Sequence, residues 1–304
     1  GGGGCCRRRR TELRSLDAVL DLLRRARNIV VICGAGMSVA CGIPDFRSEG
    51  GLYSLIAEWG LELPSPEALF DVEYFDEEPG RFYAFAKALF PGSIRPSRMH
   101  FLLAALEKRR KLLRAYTQNI DGLEAVAGLT RYVSCHGSLE TASCRSRRCK
   151  HKCGAAAIYG DVMAARVPQC PRPGCDGVLK PDIVFFGEPL PKAMGRALTA
   201  DRDKVDCLLV VGTSLAVAPI STVIGFLPAD VPQIAINKVP VRPPRKWSEG
   251  FDAQLLGNAD DVADFLARHL GLADDLEALW DAYDPTPAPV VAPPPAGDAA
   301  AADG

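Results

Sequence analysis

A glycine-rich loop directly after a short apolar run constrains the fold of this 304-residue chain more than any other feature. The run IVVI at residues 29–32 is β-branched and short, as buried parallel strands are. The loop continues as Gly34, Ala35 and Gly36. Glycine can adopt positive φ and lets the backbone approach a pyrophosphate, whose charge the N–H groups of a following helix would stabilise. The segment therefore predicts a strand, turn and helix that bind a dinucleotide.

The residues after this loop differ from those of a hydride-transfer domain. Val39 stands where such a domain has a third glycine, and Asp45, Phe46 and Arg47 follow at once. An acid, an aromatic ring and a guanidinium beside the cofactor favour chemistry done to the dinucleotide itself. On this segment alone, an ordinary strand, turn and helix without a ligand stays open.

Composition narrows the class of protein. With 48% hydrophobic residues the chain can bury a sizeable core, and a formal net charge of -1 gives no global field for nucleic acid. Four of the 11 cysteines form two pairs between residues 144 and 175, which favours metal binding in a reducing compartment over a disulfide framework. We therefore expect an intracellular protein.

Alternation of apolar runs and helical stripes predicts an α/β fold, a doubly wound (Rossmann-like) parallel sheet with a small zinc-binding module and a helical insert. We expect strands at 29–32, 112–116, 131–134, 207–211, 233–236 and 252–256, and helices at 13–26, 81–90, 97–108 and 260–270. The uncharged stretch 207–229 is broken by Gly, Ser, Thr and Pro, which predicts a strand, turn and helix rather than a membrane span.

The same pattern gives domain boundaries. Residues 1–12 are expected to form a disordered tail, 13–283 a catalytic domain, and 284–304 a disordered Pro- and Ala-rich tail. Within the catalytic domain, the helical insert covers about 48–97 and the zinc module about 138–180.

Two pairs of cysteines predict the metal site. Four residues separate Cys144 from Cys149, four separate Cys170 from Cys175, and twenty lie between the pairs. Two loops that each offer two thiolates can complete a tetrahedral shell, which makes a zinc ion structural. From spacing alone, Cys153 is an alternative to Cys149. The basic residues around these cysteines predict a solvated face, with a nucleic acid contact as a minority hypothesis.

Polar residues follow two neighbouring predicted strands. The segment TQNID at 117–121 comes after the strand at 112–116, and His136 comes after the next one. A histidine at a strand end can accept a proton near neutral pH, while Asn119 and Asp121 can bond ribose hydroxyls or a carboxamide. Taken singly, a histidine in this position is more often a satisfied polar residue than a base, but the conjunction of His136 with Asn119 and Asp121 predicts a reacting centre.

At this point the chain resembles the sirtuin family of NAD-dependent protein lysine deacylases, on its deacetylase branch. The resemblance runs in order over roughly residues 16 to 270. The matching segments are GAGMSVACGIPDFRSEGGLY at 34–53, PEALFDVEYF at 66–75, TQNIDGLE at 117–124, HG at 136–137, the four cysteines, KPDIVFFGE at 180–188, GTS at 212–214 and IN at 236–237.

The resemblance implies a reaction and a set of site residues. In the family, an acyl-lysine oxygen attacks the nicotinamide ribose of NAD, nicotinamide leaves, and a histidine deprotonates a ribose hydroxyl that attacks the acyl carbon. The catalytic residues would be His136, Asn119 and Asp121. The cofactor residues would be Gly34, Ala35, Gly36, Asp45, Phe46, Arg47, Gln118, Asn119, Ile120, Asp121, Gly212, Thr213, Ser214, Asn237, Lys238 and Ala259. The zinc ligands would be Cys144, Cys149, Cys170 and Cys175, and the substrate peptide would contact Val184, Phe185, Gly187 and Glu188.

Two departures from the family pattern bear on specificity. Ala259 stands where many relatives carry a cysteine near the adenine. Relatives that prefer acidic acyl groups carry a Tyr-x-x-Arg pair, whereas here Tyr83 is followed by Ala86 three positions on. A buried acyl carboxylate would then lack a partner, so we expect acetyl or another neutral acyl group.

Alternative functions share this sequence pattern. Mono-ADP-ribosyl transfer uses the same NAD cleavage, and a non-catalytic module would bind NAD or acyl-lysine without turnover. We expect acetylated proteins or peptides, histone or non-histone, and NAD as partners, and neither a membrane nor nucleic acid outside the basic zinc module. The expected compartment is the cytoplasm, the nucleus or both, with the mitochondrion as an alternative.

Overall fold

The computed structural model describes residues 7–45, 50–60, 63–90, 94–216, 220–245 and 248–284. The described residues form nine strands and eleven α-helices. The strands are β1 (Ile29–Cys33), β2 (Leu112–Thr117), β3 (Tyr132–Ser134), β4 (Gly137–Cys144), β5 (Lys152–Gly154), β6 (Leu179–Ile183), β7 (Cys207–Val211), β8 (Gln233–Asn237) and β9 (Ala253–Leu256). The helices are α1 (Leu16–Arg25), α2 (Leu52–Glu58), α3 (Val72–Glu77), α4 (Pro79–Ala86), α5 (Arg98–Lys108), α6 (Leu123–Val126), α7 (Ala156–Met163), α8 (Lys192–Asp201), α9 (Val223–Phe226), α10 (Ala259–Leu270) and α11 (Ala273–Asp281).

Six parallel strands form the main sheet, in the order β3-β2-β1-β7-β8-β9. All five residues of β1 and of β7 are buried, as expected for strands covered on both faces. The order reverses between β1 and β7, and ligands of doubly wound sheets bind outside the carboxyl ends of the strands at such a point. The predicted doubly wound fold is therefore confirmed, and it places the loops after Cys33 and Val211 side by side.

Helices cover both faces of this sheet. On one face, α1, α5, α10 and α11 pack their apolar residues against alternate residues of β1, β7 and β8. On the other face, α8 and α9 contribute Met194, Leu198, Val223 and Ile224 to a second core. Helix α1 begins after Ser15, whose hydroxyl accepts from Ala18 N–H, and α10 ends at Gly271 in the left-handed conformation at φ 68°.

A second, antiparallel sheet in the order β5-β4-β6 carries the cysteines. Its buried residues, those of α7 and those of the helical insert (α2, α3 and α4) form one shared core. Phe70, Phe75, Phe82 and Phe185 meet there, four pairs of them edge to face with ring centroids 5.5–6.3 Å apart and the Phe82–Phe185 pair tilted at 5.2 Å. The helical insert and the zinc module are therefore a single packed unit beside the main sheet.

Several predicted boundaries differ from the structure. The helix predicted at 81–90 runs from Pro79 to Ala86, because proline suits the first helical position. The helix predicted directly after the glycine loop is replaced by two short 3-10 turns, Ala35–Met37 and Val39–Cys41. Helices α6, α7, α8 and α11 were not predicted. No described helix has the length and apolarity needed to cross a bilayer.

The predicted disordered tail at 1–12 is too long at its C-terminal end. Arg7 is buried and pairs with the carboxylate of Asp252, and Arg10 N–H donates to the same carboxylate. A buried guanidinium needs such a partner, which fixes the segment against β9. The expected tail beyond Asp284 lies outside the described residues.

Candidate functional site

Three glycines bring together the loops that follow β1 and β7. A methyl group built on Gly36 would lie 2.7 Å from Gly212 Cα, and one on Gly34 would lie 2.6 Å from Thr213 Cβ. Gly212 itself has φ 60°, and Gly36 N–H donates to its carbonyl. Neither Gly34 nor Gly36 has a positive φ, contrary to the reason given from sequence. They are glycines because two backbones touch here.

The cofactor loop is described up to Asp45. Asp45 is half-buried. Its backbone carbonyl accepts from Leu52 N–H at the start of α2, so this hydrogen bond joins the loop to the helical insert. Phe46 and Arg47 lie outside the described residues, so their predicted contacts remain predictions.

A polar network joins Asn119 and Asp121 to the glycine loop. Ser38 Oγ donates to Asp121 Oδ2 at 2.7 Å, and Asn119 Nδ2 donates to Ser38 Oγ at 3.1 Å and to Gly34 carbonyl oxygen at 3.3 Å. Burial raises the pKa of Asp121, while the hydrogen bonds from Leu123 N–H and Ser38 lower it. The network thus holds an acid and an amide at the edge of the sheet.

The ring of His136 is held in one tautomer by a main-chain carbonyl. Its Nδ1 lies 3.0 Å from the carbonyl oxygen of Gln118. A carbonyl can only accept, so Nδ1 carries the proton and Nε2 keeps a lone pair. Burial lowers the pKa of His136, and the bond to Gln118 opposes this only in part. The ring is therefore neutral at neutral pH and can accept a proton at Nε2.

Gln118 links the centre to the β7 loop. Its Nε2 donates to Thr213 Oγ1 at 2.9 Å, and that hydroxyl accepts from Leu215 N–H. Thr213 is buried and Ser214 exposed. The loops that end β1, β2 and β7 therefore form one hydrogen-bonded edge.

The other predicted cofactor residues are spread more widely along the sheet. Asn237, at the end of β8, donates to Val239 carbonyl oxygen, Lys238 is exposed, and Ala259 begins α10. Ile120 is half-buried between Asn119 and Asp121 and packs against the shared core. All four lie at or near the carboxyl edge of the sheet.

The segment 184–188 runs directly beside His136. Val184 N–H donates to His136 carbonyl oxygen at 2.8 Å. Phe185 is buried in the aromatic cluster, and its N–H donates to Glu188 Oε2. That carboxylate also bonds Lys180 at 2.8 Å and Arg145 at 3.2 Å. Glu188, predicted as a substrate contact, is thus engaged within the protein.

The four predicted metal ligands meet at one point. Their sulfur atoms lie within 4.8 Å of one another, with Cys144 and Cys175 3.6 Å apart and Cys149 and Cys170 3.7 Å apart. Thiolates about 2.3 Å from a tetrahedral zinc ion would be about 3.8 Å apart. Backbone N–H groups of residues 146, 172 and 177 bond the sulfurs. The cluster fits one structural zinc ion.

Cys153 is separate from this cluster. Its sulfur donates to the carbonyl of Ala142, and β5 pairs it with that residue. Of the two alternatives left open by spacing, the structure therefore brings Cys149 to the metal site.

Sequence reasoning missed two groups of residues. Ser38 lies within a matching segment but has no predicted role, yet it is buried and bonds both Asp121 and Asn119. Its place four positions after Gly34, in a loop otherwise apolar, was the available signal. Lys180 and Arg145 were missed as partners of Glu188, because only folding brings those three positions together.

This fold and site define a class, namely doubly wound α/β proteins with a glycine-lined crevice at the sheet edge and an inserted four-cysteine module. The Sir2 family pattern matches residues 34–219, and the chain belongs to the Sir2 family. The resemblance inferred from the motifs is thereby confirmed.

Individual relatives show the same membership. A rat protein named NAD-dependent protein deacetylase sirtuin-1 is 45% identical over 268 residues, which cover 87% of this chain and 47% of the rat protein. The human protein of that name is also 45% identical over 268 residues, covering 87% of this chain and 35% of its own length. A Drosophila melanogaster protein named NAD-dependent histone deacetylase sirtuin-1 is 41% identical over 295 residues, covering 88% and 35%. The chain thus spans less than half the length of these relatives.

Proposed function

We propose that this chain removes acetyl or another neutral acyl group from protein lysines with consumption of NAD, giving nicotinamide, O-acyl-ADP-ribose and free lysine. The observation that carries the proposal is the tautomer of His136. Its Nε2 is unprotonated, as a general base requires, and its Nδ1 is held by the carbonyl of Gln118, the residue directly before Asn119. Relatives named NAD-dependent protein deacetylases support the same reaction.

Asp121, Asn119 and His136 would each have a separate role in the reaction. NAD, when bound, supplies a ribose carbon that becomes electrophilic as nicotinamide departs. Asp121 would accept from the carboxamide N–H of nicotinamide, and Asn119, whose amide nitrogen is already held by Ser38 and Gly34, would accept from a ribose hydroxyl through its Oδ1. His136 Nε2 would take the proton from the ribose hydroxyl that attacks the acyl carbon.

The remaining cofactor contacts are proposed along the sheet edge. Gly34, Ala35 and Gly36 would line the pyrophosphate with Thr213 and Ser214, and Gln118 would hold the two loops in register. Asn237 and Lys238 would meet the adenosine ribose, and Ala259 the adenine through its backbone. Phe46 would shield the ribose from water and Arg47 would bond phosphate.

The substrate peptide would pair with the backbone of 184–188. In this segment the N–H groups of residues 184, 185, 186 and 188 donate within the protein, and among the described residues the Gly187 N–H has no acceptor. The carbonyls of Phe185 and Phe186 already accept from the N–H groups of Glu188 and Val72. An extended peptide would therefore use Gly187 N–H and the other carbonyls of the segment, a β-augmentation that tolerates many sequences. The acyl-lysine would pass between Phe185 and His136.

A neutral acyl group suits the surroundings of Tyr83. The Tyr83 ring is fully buried, and its hydroxyl donates to Leu179 carbonyl oxygen at 2.5 Å. With Ala86 in place of arginine, nothing on this helix turn would neutralise an acyl carboxylate.

Incubation with acetylated peptide and NAD tests the proposal. We expect O-acetyl-ADP-ribose and nicotinamide in equal amounts, and His136→Ala should abolish acyl removal while zinc content and much of the NAD affinity persist. Ribosylated protein without O-acetyl-ADP-ribose would instead establish mono-ADP-ribosyl transfer. NAD binding without either product would establish a binding module.

We also propose a compartment and partners. A histone deacetylase name among the relatives supports action in the nucleus, and the cytoplasm and mitochondrion are the alternatives. Acetylated histone or non-histone proteins would be the substrates.

A further inference from the structure

A buried cluster of three polar side chains lies next to the proposed nicotinamide site. His100, Asp121 and Glu124 bring a ring nitrogen and two carboxylate oxygens within 4.8 Å of one another. His100 and Glu124 are each 1% exposed, and His100 Nε2 and Glu124 Oε1 have no hydrogen-bond partner among the described residues. Buried polar atoms are nearly always satisfied, so a bound group at this point is expected.

The tautomer of His100 decides which group the cluster takes. Ser97 backbone N–H donates to His100 Nδ1 at 3.2 Å. A backbone N–H can only donate, so Nδ1 is unprotonated and Nε2 carries the hydrogen. Burial lowers the pKa of His100 to about 3, which keeps the ring neutral. A divalent cation would need the Nε2 lone pair, whereas the structure offers an N–H donor there.

The two carboxylates are already held from their other sides. Asp121 accepts from Leu123 N–H and Ser38 Oγ–H, and the Thr117 hydroxyl bonds Glu124. Burial, together with the charge of Asp121, raises the pKa of Glu124 to about 7. The cluster therefore presents one donor and two acceptors to the space between them.

We propose that one water molecule occupies this cluster and that His100 and Glu124 act through it as positioning residues for Asp121. The water accepts from His100 Nε2–H and donates to Glu124 Oε1 and to an Asp121 oxygen, which satisfies all three groups. The hydrogen bonds from the water and from Ser38 Oγ together fix the orientation of the Asp121 carboxylate, which then faces the nicotinamide carboxamide. This role for Asp121 rests on the proposed function.

Substitutions at His100 can separate this role from simple packing. In His100→Asn the side-chain oxygen can still accept from Ser97 N–H, but nothing replaces Nε2–H. In His100→Gln an amide N–H reaches the position of Nε2. Similarly, Glu124→Leu removes the acceptor, and Glu124→Gln keeps it without charge.

The readout is inhibition of deacetylation by added nicotinamide, measured on the zinc-loaded full chain together with the KM of the acetylated peptide. Loss of one hydrogen bond predicts that His100→Asn and Glu124→Leu raise the inhibition constant about tenfold and leave the peptide KM within twofold. The two glutamine variants should return to within threefold of the wild type. Equal inhibition in all five proteins, or glutamine variants no better than the others, would overturn the positioning role.

A crystal structure at high resolution tests the water directly and does not depend on activity. Density for one oxygen within about 3.2 Å of all three side chains supports the proposal. Clear absence of that density, or anomalous scattering from a metal ion in its place, would overturn it. A wild-type protein that shows the water but no deacetylation would disprove the proposed function alone.

Discussion

The Nδ1 atom of His136 lies 3.0 Å from the carbonyl oxygen of Gln118, whereas Nδ1 of His100 accepts from the N–H of Ser97 at 3.2 Å. Two neutral imidazoles in one domain are therefore fixed in opposite tautomers. His136 keeps a lone pair at Nε2 and suits proton abstraction, while His100 presents an N–H and suits support of a carboxylate.

The pH dependence of turnover should follow the titration of His136. The base must be neutral, and burial lowers the pKa of His136 below its ordinary value of 6.5. Activity should therefore be present above pH 6.5 and decline as the pH falls through the lowered pKa. A profile of kcat/KM against pH at saturating NAD checks this, and an acidic limb centred above pH 7 would contradict it.

Gly36→Ala should disrupt the NAD crevice. The new methyl group would stand 2.7 Å from Gly212 Cα and force the two loops apart. We expect the KM for NAD to rise tenfold or more and the melting temperature to fall. Gly160→Ala is the matched control, because a methyl group there meets nothing within 4 Å and alanine favours the interior of α7. The prediction fails if both variants keep wild-type NAD kinetics.

Cys144→Ala should release the zinc ion and unfold the shared core of zinc module and helical insert. Three remaining thiolates leave one position of the tetrahedral shell unfilled, which weakens zinc binding. Because the free energy of zinc binding contributes to the folding of such a module, its loss also destabilises the fold. Metal analysis and thermal melting measure the effect. Cys153→Ala provides the comparison: one zinc ion per chain should remain, since the Cys153 sulfur donates to the Ala142 carbonyl and lies outside the four-cysteine cluster. Wild-type protein purified without zinc would refute the assignment.

Glu188→Gln should weaken substrate binding, although the Glu188 side chain bonds groups of the protein rather than the substrate. The change removes the charge that pairs with buried Lys180 and weakens the acceptor for Phe185 N–H. Breaking a buried pair costs about 3–5 kcal/mol, and partial solvent access to Glu188 reduces this to about 1–3 kcal/mol. We expect a several-fold higher peptide KM with an unchanged KM for NAD.

Arg166→Ala is the control for that prediction. Its pair with Asp161 is exposed, and surface pairs contribute about 0–1 kcal/mol. The peptide KM and the melting temperature of both variants are measured. Equal values for Glu188→Gln and Arg166→Ala would show that the Glu188 network contributes neither to substrate binding nor to stability.

The sequence predicted the main sheet well because local patterns encode it. Strand Cys207–Val211 is observed at the predicted bounds, and helix Arg98–Lys108 begins one residue after the predicted start, since Ser97 is its cap. Motif order also predicted which side chains gather at the sheet edge. The patterns of short, uncapped helices such as α7 were too weak to be read.

Contacts between distant segments were beyond sequence reasoning. The requirement for glycine at Gly34 and Gly36 comes from the loop after β7, about 180 positions away. Likewise, the state of His136 depends on the Gln118 carbonyl and that of His100 on Ser97, which residue spacing alone does not reveal. Tautomers and buried networks follow from tertiary geometry.

The aromatic cluster of Phe70, Phe75, Phe82 and Phe185 draws its rings from both the helical insert and the segment that follows β6, the last strand of the zinc module. If only the helical insert or only the zinc module were replaced by that of a distant relative, the aromatic side chains of the two parts would no longer pack against each other. Functional chimaeras should therefore require both pieces from the same parent, and altered acyl preference would be inherited with the pair.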